Sequence, residues 1–106
     1  MFRQGDVLIV PVNGIPEDAA ILEKPDSRNR SVLMEGEATG HAHAVPFDDG
    51  KIYRNPANDN RFLHVVSNTT VRHEEHDPID LPAGDYQIIR QREYSYESGE
   101  IRYVAD

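Results

Sequence analysis

The chain contains no cysteine. That excludes disulfides, thiolate zinc sites, iron–sulfur clusters and thiol nucleophiles, so a metal site would have to be built from His, Asp and Glu. No apolar run approaches the roughly 18 residues of a transmembrane helix. The opening Met1-Phe2-Arg3-Gln4-Gly5-Asp6 leads into a short apolar run that ends at a proline, unlike a secretory signal. A cytoplasmic protein with no membrane partner is therefore expected. Basic residues are also few: 11 Lys and Arg stand against 19 Asp and Glu, a formal charge of −8 over 106 residues. An acidic chain repels phosphate backbones, which argues against a nucleic-acid partner, while its negative field favours capture of a cation. No Ser-His-Asp set, phosphate-binding loop or nucleotide fingerprint can be picked out.

Helical periodicity and internal repeats are lacking as well. Gly or Pro interrupts the chain every ten to fifteen residues, and short β runs alternate with turn signals. The pattern predicts an all-β single domain over residues 1–106, a small β-barrel or sandwich. It would have about seven to eight short, mostly antiparallel strands and at most one short helix. Strands are expected at 6–12, 31–36, 41–46, 51–54, 61–67, 70–74 and 86–97. The first is apolar on both faces, which suits a central strand, and Pro11 pushes its end towards an edge or bulge. The one plausible helical piece is 15–23, with Pro16 at its first position and acids in its first turn. Residues 24–30 read as a polar loop. Ser98-Gly99 reads as a two-residue hairpin turn that pairs Tyr94 with Tyr103 and Tyr96 with Ile101.

Four of the five histidines fall in two tight clusters, His41-Ala42-His43 and His73-Glu74-Glu75-His76. On a strand, His41 and His43 project to one face. Two neutral imidazoles side by side need partners for their ring nitrogens, and a metal supplies two at once. His73 and His76 share a face only in a tight turn, which the Asp77-Pro78 break permits. Glu74 and Glu75 between them offer added ligands or a general base. The zinc-protease helix needs histidines four apart, so this spacing excludes it. The bland alternative is a pair of solvated, charged turns. The clusters reinforce each other if strands three and six meet. His64, with Phe62 and Val66 on its face, reads as a core histidine.

Gly36-Glu37-Ala38-Thr39-Gly40-His41-Ala42-His43 resembles the first half of a cupin motif, in which a glycine precedes an HxH pair. Leu81-Pro82-Ala83-Gly84-Asp85-Tyr86-Gln87 resembles the second, with Gln87 where the cupin histidine would stand. No glutamate follows His43 at the cupin spacing. This resemblance implies a metal-holding barrel with His41 and His43 as ligands. The layout is also similar to small uncharacterised proteins of bacteria and their phages that share the Gly-His-x-His and His-Glu-Glu-His segments. The opening 5–11 resembles the first strand of GroES-like barrels.

Together these features predict a metal-binding β protein that holds a divalent ion (Zn, Fe, Ni or Mn) through His41, His43, His73 and His76. Glu74 or Glu75 would serve as catalytic base if the protein is an enzyme acting on a small-molecule ligand, or the metal could serve a sensor. The alternatives are a non-catalytic binding module and an oligomeric structural protein of a phage or bacterium, associating as a homo-oligomer through strand edges.

Overall fold

Val, Ile and Leu at alternate positions commit short segments to pleated strands, and each strand needs a partner for its backbone and a cover for its apolar face. The computed structural model describes residues 1–36, 40–91, 93–97 and 100–104, the last two segments as backbone alone. Among the described residues there are twelve strands and no helix. Six form one antiparallel sheet in the spatial order β1 (Phe2–Gln4), β2 (Val7–Val12), β10 (Gly84–Arg90), β7 (Arg61–Val65), β6 (Gly50–Arg54), β3 (Ile21–Leu22). Three two-stranded ribbons complete the set: β4 (Arg30–Glu35) with β5 (Ala42–Pro46), β8 (Thr69–Val71) with β9 (Ile79–Leu81), and β11 (Glu93–Glu97) with β12 (Glu100–Val104).

The β4–β5 and β8–β9 ribbons are joined by a single bridge. Ala44 N donates to Arg72 O at 3.0 Å and Arg72 N to Ala44 O at 2.9 Å. The joined ribbons cover one face of the six-stranded sheet. Val7, Ile9, Ile52, Leu63, Val65, Tyr86 and Ile88 from the sheet meet Leu33, Val45, Val71 and Leu81 from the ribbons. The sheet ends in open edges at β1 and β3, so the all-β architecture is sandwich-like and not a closed barrel. β2 lies between β1 and β10, as its two apolar faces require. Beyond Ile9 it has a neighbour only on the β10 side, and Pro11 falls in that half-free stretch, where a missing N–H costs least.

A β-bulge in β4 is tied to the sheet by one arginine. Val32 pairs with Ala44 and Met34 with His43, so Leu33 is the extra residue. Arg61 on β7 donates from Nη2 to Val32 O at 2.7 Å and from Nη1 to Leu33 O. The same guanidinium grips both carboxylate oxygens of Glu23, at 2.7 and 2.8 Å. The bulge sets which β4 residue stands opposite His43, and Arg61 satisfies carbonyls that the bulge takes out of the ladder.

Several segments differ from the sequence-based expectation. Residues 15–23 form a turn, with Ala19 N bonded to Pro16 O at 3.0 Å, followed by β3 and not by a helix. Nine residues nucleate a helix poorly, and Ile21 and Leu22 gain a ladder with Arg54 and Tyr53 instead. The short strands β1, β3 and β9 carry too few residues for alternation to reveal them. The expected strand 86–97 ends at Arg90, and Gln91 N turns back to Asp6 O at 2.7 Å. In the final ribbon Tyr94 stands opposite Tyr103 and Tyr96 opposite Ile101, as expected. The turn at 98–99 and all side chains of that ribbon lie outside the described residues. His64 is no core residue: its ring is half-exposed, 2.5 Å from Asp85 Oδ1, while Leu63 and Val65 face inward. Among the described residues no helix is long and apolar enough to cross a membrane.

Candidate metal centre

The Ala44–Arg72 bridge brings the two histidine clusters together. Counting outward along antiparallel strands from that rung, residue 43 meets 73, 42 meets 74 and 41 meets 75. The side chains follow this register. The His43 and His73 rings lie 4.3 Å apart between centroids. Ala42 N donates to Glu74 Oε1 at 2.9 Å, and His41 Nδ1 lies 3.7 Å from Glu75 Oε1. The chain then bends through 74–76 and returns His76 to the group, 4.6 Å from His73 and 5.6 Å from His43. His41 meets His73 edge-on at 5.7 Å.

Two glycines make this crowding feasible. Gly5 adopts φ +57°, and a Cβ placed on it would lie 2.7 Å from His76 Nε2. A Cβ on Gly36 would lie 2.9 Å from both His73 Nε2 and His41 Cβ. Real Cβ atoms are not found so close to ring nitrogens, so any side chain at either position would push a histidine out of place.

His43 is the fixed point of the group. It is 2 % exposed, and its Nδ1 lies 2.8 Å from Gln4 Oε1. The Gln4 amide has one orientation only, because its Nε2 donates to Val71 O at 3.1 Å and to Asp77 O at 2.8 Å, and carbonyls can only accept. Gln4 therefore presents an acceptor to His43, which must carry its proton on Nδ1. The neutral ring then has a bare Nε2, with Asp6 Oδ1 3.8 Å away. Burial, together with the neighbouring His73 and His76, lowers the His43 pKa to about 4, against the opposing pull of Asp6 and Glu74. A buried, neutral imidazole of fixed tautomer, its far nitrogen oriented by a hydrogen bond on the near one, has the form of a metal-ligating histidine.

Two triads have ligand atoms within 4.8 Å of one another: His43, His73 and His76, and His41, His73 and Glu74. Ligand atoms on a tetrahedral zinc stand about 3.4 Å apart, from Zn–N bonds of about 2.1 Å. Closing by up to about 1.4 Å would complete either set. His76 is exposed, His73 and His41 partly so. His73 is lowered in pKa, first by desolvation and then by His76. Its Nδ1 accepts the Glu75 N–H at 3.0 Å, so the neutral ring holds its proton on Nε2. Binding a cation through Nε2 would require that hydrogen bond to be given up.

The carboxylates of the second cluster take different places. Glu74 is held below the usual carboxylate range, chiefly by the Ala42 N–H and then by its own backbone N–H. A carboxylate so held is a poor proton acceptor and a good anchor for the turn. Glu75 is exposed, beside His41. Gln4, Gly5 and Asp6 were not legible as parts of the site, whereas Gly36 stood at the head of the cupin-like segment. Gly5-Asp6 has the look of an ordinary turn before a strand, and Gln4 lies 39 residues from its partner.

The fold and this cluster define a small sandwich-like β protein whose two ribbons converge on four histidines. The family model for a domain of unknown function, DUF8820, matches residues 3–91, and the chain belongs to that family. The matched span includes Gln4, Asp6 and all four clustered histidines and stops before β11. No curated protein and no solved structure matches the chain. The cupin resemblance gains no support from these matches, and Gln87 stands between Val10 and Phe62 in the large sheet.

Proposed function

We propose that this is a cytoplasmic protein that binds one divalent metal ion through His43, His73 and His76. His41, Asp6 or Glu74 would supply a further ligand. The observation that carries the reading is the locked tautomer of His43. A buried imidazole held neutral, with a bare Nε2 beside two more imidazoles and a carboxylate, leaves unused hydrogen-bonding capacity that a cation would satisfy. Nitrogen and carboxylate donors suit Zn, Fe, Ni or Mn. Glu74 is committed to Ala42, which favours holding a metal over proton transfer by Glu74.

The test is calorimetric titration of chelator-treated protein with Zn, Ni, Mn and Fe(II), beside His43→Ala and the double variant His41→Ala, His76→Ala. The expected result is uptake of one equivalent, with affinity lost in His43→Ala. Folded protein that takes up none of the four ions would overturn the proposal.

A further inference from the structure

On the other side of the β5–β8 pair lies a groove of about 460 Å3. Side chains alternate along strands, so Ala44 and Arg72 face away from the side that His43 and His73 occupy. Ala44 is small and leaves the space open. Arg72 enters from one wall, and Arg28 and Arg30 from the other. The second wall is built by Asp26, whose Oδ1 accepts the backbone N–H of Arg28 at 3.0 Å and of Arg30 at 2.8 Å. Arg30 is neutralised by Asp26 at 2.9 Å. Arg28 and Arg72 have no carboxylate within ion-pair distance among the described residues.

That is unexpected in a chain with 19 acids and 11 bases. Acidic partners are abundant, yet Arg28 and Arg72, both exposed and both lining one groove, have no ion-pair partner among the described residues. Asp49, also in the lining, has its Oδ2 engaged by the Thr69 hydroxyl at 2.9 Å and retains acceptor capacity. A guanidinium fork matches an oxyanion, and two forks from opposite sides suit a tetrahedral phosphate better than a planar carboxylate. A carboxylate at the same groove suits a ligand that also carries a hydroxyl. We propose that this groove binds a small phosphate ester bearing a hydroxyl group, its phosphate held between Arg28 and Arg72. The volume is of the size that small-molecule sites use.

The experiment is a two-dimensional amide NMR titration of the full chain with glycerol phosphate and with inorganic phosphate. A chelator is present, at about pH 8, where neutral imidazoles do not attract anions. Because no metal takes part, the outcome is independent of the metal reading. Saturable shifts confined to residues 28–30, 44–45 and 69–72 are expected, with glycerol phosphate the tighter ligand. Affinity should fall about 10-fold in Arg72→Gln and in Arg28→Gln, and saturation should vanish in the double variant. Three results would each overturn the proposal: no saturation by concentrations on the order of 10 mM, shifts centred on 41–43 and 73–76, or undiminished binding by the double variant.

Discussion

Gln4 and His43, 39 residues apart in the chain, share one hydrogen bond that decides the chemistry of the histidine cluster. Its direction follows from the two carbonyls that hold the other end of the amide, Val71 O and Asp77 O. Gln4→Leu keeps the volume but removes all three bonds. It leaves His43 Nδ1 without its partner and takes one donor each from Val71 O and Asp77 O, at a cost of about 2–3 kcal/mol. Metal affinity should fall about 10- to 100-fold as the ring loses its orientation. Chemical denaturation gives the first quantity and metal titration the second. Unchanged affinity in a folded Gln4→Leu protein would mean that His43 does not ligate through Nε2.

Stability should depend on acid through the same ring. The folded protein keeps His43 neutral down to about pH 4, whereas the unfolded chain protonates it near its ordinary value of about 6.5. Above both values the ring is neutral in both states and contributes no pH dependence. Between them the unfolded state binds the extra proton, so stability falls as pH is lowered from about 6.5 to about 4, by up to about 3 kcal/mol. Urea melts in chelator at intervals across that window would show the slope. His43→Leu should flatten it, and an identical slope in that variant would assign the acid sensitivity elsewhere.

How much of this was legible beforehand follows from the range of each signal. Alternation reaches six or seven residues, so β2, β4, β5, β6, β7 and β10 could be read, and β8 was met by the expected strand 70–74, while β1, β3 and β9 could not. The two histidine clusters were visible because each is local. That they meet rests on one backbone bridge, Ala44 to Arg72, and no residue pattern encodes it. Gln4 and Asp6 act across the fold and look ordinary in their own neighbourhoods. The bulge at Leu33 was hidden for the same reason: the residue that satisfies it, Arg61, lies on another strand.

That bulge gives a further prediction. Arg61 uses the fork geometry of its guanidinium to reach two carbonyls and both oxygens of Glu23. Lysine carries the same charge but presents no planar fork. Arg61→Lys should destabilise the protein by about 2–3 kcal/mol, since it strands at least one carbonyl. Arg54→Lys, which touches Glu23 and the exposed Asp59, should cost less than about 0.5 kcal/mol. Equal, small losses in urea denaturation would show that the bulge carbonyls are satisfied without Arg61.

Gly5 separates the fold's requirements from those of the metal site. Its φ of +57° makes any L side chain unfavourable, and Gly5→Ala should cost about 1 kcal/mol for that reason alone. The second effect is steric: the new methyl would lie 2.7 Å from His76 Nε2. His76 is exposed and can swing into solvent, so the clash should appear in metal affinity and not in stability. The stability loss from Gly5→Ala should therefore be the same in wild-type and His76→Ala backgrounds. Its effect on affinity should be large in the first and absent in the second, the non-additivity expected of residues in contact. A four-variant cycle, read once by denaturation and once by metal titration, makes the comparison. If Gly5→Ala binds metal as tightly as the wild type, His76 does not act as a ligand from its place over Gly5.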